Sequence, residues 1–221
     1  GISAQTGGAS LFTSSYAFSR QLSGLEAMPI GVWSTKGTIG RWNGTASSPI
    51  VAELKDRGDK TLSGTIQSRL DEPLTDCVLV YDRWAYSIGK LEPRARLSVD
   101  GKLDPQTVET YFKNYSLYNQ SPTASTYDRT SLDVPKIIET MMFYNHLGGS
   151  DYTKLSNQYQ QFVDLSSLLR CGRAILIGRG AAGGGQLLRG EAEAAKPMQN
   201  ERDQHWRFYR FVFPVAEKNR G

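Results

Sequence analysis

Between residues 50 and 99 the apolar residues fall into short runs broken by turn formers. Ile50 to Leu54 is the first, ended by Arg57-Gly58-Asp59. From Thr61 to Leu70, Leu62, Gly64, Ile66 and Ser68 alternate with Ser63, Thr65, Gln67 and Arg69. A period of two predicts a strand with one dry face and one wet face. Cys77 to Tyr81, between Asp76 and Asp82, is apolar on both faces. That pattern predicts a strand covered on both sides. Arg83 to Leu91 puts Trp84, Tyr86 and Ile88 on one face, and Gly89-Lys90 offers a turn. Ala95 to Val99 is a further strand, closed by Asp100-Gly101. Upstream, Leu11, Phe12, Tyr16 and Phe18 suit an extended segment. Val32 to Thr45 reads as strand-like, with Gly37 and Gly40 marking a bulge or a close approach.

The period then changes. Asp104-Pro105 is a helix start, followed by Val108, Tyr111, Phe112 and Tyr115 at helical spacing. Residues 114–131 are polar and irregular. Asp133 and Pro135 open a second helix with the stripe Val134, Ile137, Ile138, Met141 and Met142, ended by Gly148-Gly149. Ser150 or Asp151 starts a third, carrying Leu155, Tyr159, Phe162, Val163 and Leu169 and stopped by Gly172. Strands return with Ala174 to Ile177, a short run at Gln186 to Arg189, and Trp206 to Val215, apolar on both faces. Gly183-Gly184-Gly185 reads as a flexible connection and residues 191–203 as a solvated loop. The simplest assembly lets the last strands complete the first sheet. The fold expected is mainly β, α+β overall: an antiparallel β-sandwich over residues 11–221 with an insertion of about three helices at 104–172. Residues 1–10, rich in Gly, Ser and Ala, read as a linker or frayed end.

Composition adds limits. Of 221 residues, 39% are apolar and 22% charged, which suits a packed core and not a disordered chain. A net charge of +4 is too small to announce a nucleic-acid binder. Two cysteines make no disulfide framework, and two histidines leave little scope for metal or proton-shuttle chemistry. No apolar run of about 18 residues is present, and no secretory leader. The first residue is Gly1, not Met, so a trimmed or processed piece of a longer chain is expected.

One stretch carries a resemblance. It runs Leu62-Ser-Gly-Thr-Ile-Gln-Ser-Arg-Leu70, then Pro73-Leu-Thr-Asp-Cys-Val-Leu-Val-Tyr81, then Tyr86-Ser-Ile-Gly-Lys-Leu-Glu-Pro93. This resembles immunoglobulin-like β-sandwich modules in the extracytoplasmic parts of uncharacterised bacterial membrane proteins. In those modules the closing Pro is followed by Gly, where this chain has Arg94. The resemblance implies a non-catalytic domain held outside a membrane by neighbouring segments. It supplies no site residues.

Candidate chemistry is sparse. Gly178-Arg-Gly180-Ala-Ala-Gly183 spells a dinucleotide fingerprint after an apolar strand. It lacks the following helix and second parallel strand, so a flexible hairpin loop is expected. No Gly-x-Ser-x-Gly elbow appears. His146 sits at a helix end, where it complements carbonyls, and His205 among charges at the surface. Asp76 and Asp82 lie roughly 20 Å apart along a strand, too far for a glycosidase pair. Glu191 and Glu193 fall in the solvated loop, and no calcium loop is found. Asn43, Asn114 and Asn119 head N-x-Ser/Thr triplets, as chance allows. Arg173, Arg179 and Arg189 sit near no acids in the sequence and read as a solvated edge, with phosphate or a lipid head group as the sharper alternative. Trp33, Trp42, Trp84 and Trp206 read as core, or else as a sugar-stacking platform. Cys77 reads as a small core side chain; outside the cytoplasm it could bridge Cys171 and tie the helices to the sandwich.

The function expected is a non-catalytic, extracytoplasmic interaction or scaffolding module of a membrane-anchored protein, binding a protein partner and using no cofactor. A carbohydrate-binding module with an aromatic platform is the alternative. An enzyme with an unfamiliar site is the third.

Overall fold

The structure, a computed structural model, describes residues 17–19, 25–26, 44–45, 47–100, 103–114, 127–155, 162–181, 188–189, 196–197 and 205–216. The chain divides into two units, residues 1–46 with 186–200, and residues 47–185 with 201–221. In the first, β1 (Ala17–Phe18) pairs antiparallel with β2 (Leu25–Glu26), setting Phe18 opposite Leu25. The expected linker at 1–10 lies outside the described residues.

The second unit begins with the hairpin of β3 (Ile50–Asp56) and β4 (Leu62–Ser68). Alternation works as read: Ile50, Leu54, Leu62 and Ile66 are buried on one face. The Arg57-Gly58-Asp59 break is a turn closed by the Asp56 carboxylate, which accepts the N–H of Gly58 at 2.7 Å and of Lys60 at 3.2 Å. Burial alone would push Asp56 up. The N–H of Gly58, the hydroxyl of Tyr81 and the N–H of Lys60 outweigh it, and hold the carboxyl below its ordinary value.

β5 (Leu74–Tyr81) and β6 (Trp84–Leu91) form the next hairpin. β5 is bulged between Leu74 and Val78, and Asp76 takes a left-handed φ of 49°. The bulge lets Leu74 and Cys77, three apart, both face the inner core. Gly89 has the positive φ its type allows, 76°, but it lies inside β6 opposite Cys77 and does not reverse the chain. The reversal comes at Glu92-Pro93-Arg94-Ala95, where the Ala95 N–H reaches the Glu92 carbonyl at 3.2 Å. Arg94 takes φ 59° there, the conformation the glycine of the resembling pattern would adopt. Its side chain meets Asp71 in an exposed pair at 3.0 Å. Arg94→Gly is therefore expected to raise stability by about 0.5–1 kcal/mol, since exposed pairs contribute little. Urea denaturation checks this.

β7 (Arg96–Val99) returns to pair with β4, and β8 (Gln106–Thr107) adds to the outer edge of β6. Among the described residues four short helices follow: α1 (Val108–Asn114), α2 (Val134–Met141), α3 (Gly149–Thr153) and α4 (Ser166–Arg170). Asp133 caps α2 by accepting the Lys136 N–H, as expected. The single third helix expected at 150–171 is instead α3 and α4. α3 stops because Lys154 turns left-handed, φ 55°. The buried side of α2 also differs from the predicted stripe: Pro135, Glu139, Thr140 and Met141 are buried, while Ile137 and Ile138 are half-covered.

β9 (Arg173–Gly180) lies between β5 and β12 (Arg207–Ala216). The first unit contributes the short antiparallel pair β10 (Leu188–Arg189) and β11 (Lys196–Pro197). The large sheet runs β7-β4-β3-β12-β9-β5-β6-β8. It is a curled, mixed sheet in a β-rich α+β fold, not a wholly antiparallel one. β12 pairs antiparallel with β9 up to Pro214, then parallel with β3 through Val215 and Ala216. Proline has no N–H for a ladder, so it suits the point where one strand changes partners.

Two cores result. The inner one gathers Ile50, Leu62, Ile66, Leu79, Leu176 and Phe213 from one face of five strands. Tyrosines stitch it: Tyr81 on β5 donates to Asp56 at 2.9 Å, and Tyr86 on β6 accepts the Leu62 N–H at 2.8 Å. The outer core sets Val78, Val80, Ile175 and Ile177 against Phe112, Met142, Phe143 and Leu169 of the helical layer.

Candidate functional site

The densest polar chemistry gathers where β5 begins and β9 ends. The β5 bulge turns Asp76 to the helical side of the sheet. On β9, Arg179 follows Ile177 on that same side. Arg179 donates from Nη2 to Asp76 Oδ2 at 2.6 Å. Its Nε lies 3.4 Å from Glu139 Oε1 of α2, yet is not aligned as a hydrogen bond and is buried without a partner. Glu139 is only 8% exposed. Burial is the main force on its carboxyl, opposed by Arg179 and reinforced by Asp76 and Asp133, and pushes it up to about 7. Arg179 is thus no solvated edge residue. Its partners come from 103 and 40 residues away in sequence, which local reading could not find.

On the other side of the sheet Glu72 accepts from Tyr209 Oη at 2.6 Å and from Arg207 Nη1 at 3.1 Å. The Tyr209 hydrogen bond first, then that of Arg207, holds Glu72 below its ordinary value. Tyr209, Phe211 and Phe213 stack in line along β12, their centroids 5.8 and 6.4 Å apart.

The first two glycines of the pattern belong to this region and are not in a loop. Gly178 and Gly180 are inside β9. A Cβ on Gly178 would lie 2.8 Å from Cys77 Sγ, and one on Gly180 2.6 Å from the Tyr209 ring. Both glycines serve close packing across the sheet; Gly183 lies outside the described residues.

Residues 49–167, more than half of the chain, match a family model described as a domain of unknown function, DUF8725. The chain belongs to that family. No curated protein and no solved structure matches it. The DUF8725 segment contributes Glu72, Asp76 and Glu139 to the two networks, while Arg179, Arg207 and Tyr209 lie beyond it.

The other sequence candidates are scattered. Cys77 and Cys171 are free thiols, one buried and one exposed. The bridge between them is not made. Cys77 packs on Gly178, whereas Cys171 precedes the start of β9. The five steps from Arg173 to Gly178 span about 17 Å, and a disulfide needs Cα atoms within about 7 Å. Burial pushes the Cys77 thiol up to about 11, as for an unreactive core side chain. Trp84 packs against the inner core, with the Arg83 guanidinium 5.1 Å from its ring centre. Trp206 is exposed at the start of β12. The two stand toward opposite ends of β9, since β5 beside Trp84 pairs at Ile175 and Arg207 pairs at Gly180. They share no platform. Trp33, Trp42, Glu191, Glu193, Asn43, Asn119 and Gly184 lie outside the described residues.

His146, in the turn after α2, is half-buried, and burial pushes its imidazole down. Its backbone N–H donates to Ser166 Oγ at 3.0 Å, and that hydroxyl donates to Asp164. The Ser166 proton therefore goes to Asp164, and the contact with His146 is through the main chain. His205 is exposed just before β12. Among the described residues no three His, Cys, Asp or Glu side chains converge as a metal site. No described helix is long and apolar enough to cross a membrane.

Proposed function

We propose that this chain is a non-catalytic interaction or scaffolding module, immunoglobulin-like in its sandwich plan, held outside the cytoplasm by a membrane-anchored parent protein. The tether and location rest on the resemblance around residues 62–94. The binding reading rests on one cross-strand pair. Val212 and Ile175 sit opposite each other on β12 and β9, facing the same way. Ile175 is 0% exposed beneath the helical layer; Val212 is 43% exposed. A central strand normally has both faces covered when they are apolar. Here the outer face of β12 presents Val212, Pro214 and, just before the strand, Trp206 at 38% exposure. Arg210 on β12 and Arg173 opposite Pro214 are exposed beside them, with no acidic partner among the described residues. Apolar residues ringed by arginine favour a protein partner with acidic groups around an apolar centre. Of the described tryptophans, Trp206 alone serves the carbohydrate alternative.

A photo-crosslinking residue at position 212 of the parent protein, expressed in its own cells, tests the reading. Discrete protein adducts from position 212, and none from exposed position 90 on β6, are expected. Equal labelling from both, or none from 212, rejects this surface.

A further inference from the structure

We propose that Asp76, Arg179 and Glu139 form a proton-operated latch that fastens α2 to the sheet and tightens as the surroundings become acidic. The device goes beyond the binding reading and does not depend on it. It is a matter of one cation shared by two carboxylates from two layers. The Asp76–Arg179 pair, 2.6 Å, is made within the sheet, β5 to β9. It takes Nη2 of the guanidinium. Glu139 comes from the helical layer and meets only Nε, at 3.4 Å and without a hydrogen bond. The other charges bearing on it are Asp133 and Lys136, both on or at the cap of α2. Lys136 reaches Asp133 at 3.6 Å, so its charge is partly spent there. With Glu139 ionised, one guanidinium is shared by two carboxylates, of which Glu139 is the buried one and Asp76 is partly open to water. With Glu139 protonated, the Asp76–Arg179 pair stands alone and the buried carboxyl is neutral. α2 spans eight residues, too short to hold as a helix away from the sheet.

The sign follows from linkage. Seated, Glu139 binds its proton up to about 7; released into water it returns toward 4.5. Lifting α2 therefore releases a proton. The stabilisation is present in full below about pH 4.5 and is lost as pH rises toward about 7. Between about pH 5 and pH 7 the opening equilibrium should rise roughly tenfold per pH unit, then level off.

Hydrogen–deuterium exchange of a peptide covering residues 134–142 reads this directly, corrected for the intrinsic pH dependence of exchange. A peptide from β9 is the internal reference. The wild type should lose on the order of a hundredfold protection in α2 from pH 5 to pH 7, with β9 unchanged. Glu139→Gln should flatten the profile and keep α2 protected at pH 8. Asp76→Asn leaves Arg179 to Glu139 alone and should move the loss to lower pH. A flat wild-type profile overturns the latch, as does the same loss in Glu139→Gln, or α2 and β9 losing protection together. If Glu139→Gln does not fold, an unshifted profile in Asp76→Asn overturns it.

Discussion

Gly64→Val is expected to prevent the β3–β4–β7 side of the sheet from assembling. Gly64 sits mid-strand in β4, between Leu54 of β3 and Val99 of β7. Its φ is 135°, a conformation L side chains rarely adopt. An added Cβ would lie 1.9 Å from the Glu53 carbonyl oxygen, and the next nearest atoms, at 3.0 and 3.1 Å, are backbone too. No side chain can swing aside. Relief requires β3 and β4 to part, which would uncover Leu54, Leu62 and Ile66 and break the Tyr86 bond to the Leu62 N–H. The loss should exceed about 4 kcal/mol, beyond the common range for single substitutions. Even Gly64→Ala carries the same Cβ and should behave similarly. Circular dichroism and thermal melting of both variants check this. A cooperative melt within a few degrees of wild type in Gly64→Ala would contradict the reading.

That glycine also marks how far the sequence could be read. The two-residue period named it as part of an alternating strand and put Leu62 and Ile66 on one face, which is correct. Periodicity reports which way side chains point; it carries no information about which strand lies alongside. The same limit explains β12. Its two apolar faces were legible, but its parallel join to β3 through Val215 and Ala216 unites residues 161 apart, and nothing local encodes that. It also explains why Val212 looked core-bound: the outer core covers Ile175 on β9 but leaves Val212 opposite it exposed, and sequence does not reveal where a layer ends. One helix start was visible, because Asp133 caps α2 with its own side chain; the start read at Asp104-Pro105 was not, since Gln106–Thr107 is strand β8 and α1 begins at Val108. The rotation of α2 was hidden, since Glu139 is buried by meeting Arg179, and a carboxylate on a helix ordinarily faces water. Arg94 stood out as a departure from the resembling pattern, and the backbone there accommodates it at the conformation a glycine would take. The glycine-rich motif was expected in a flexible hairpin loop, whereas its first two glycines lie in β9 and answer to Cys77 and Tyr209 on neighbouring strands.

Phe143→Ala should separate the helical layer from the sheet in energy. Phe143 is 0% exposed and is the largest of the wholly buried side chains. Its ring lies 4.9 Å from that of Phe112, so it joins the turn after α2 to α1. Both rings belong to the outer core, together with Val78, Val80, Ile175 and Ile177 of the sheet. Truncation removes a ring from a site bounded by two helices and a rigid sheet, which can collapse only in part. A loss of about 3–5 kcal/mol is expected, against about 1 kcal/mol for Phe143→Leu, which refills most of the volume. The inner core, with its tyrosine bonds to β3 and β4, does not touch the deleted ring. Guanidinium denaturation followed by exchange in the β4 and α1 peptides should therefore show α1 losing protection first. If β4 and α1 lose protection together at every denaturant concentration, the two cores are one cooperative unit and the helical layer is integral to the sheet's stability.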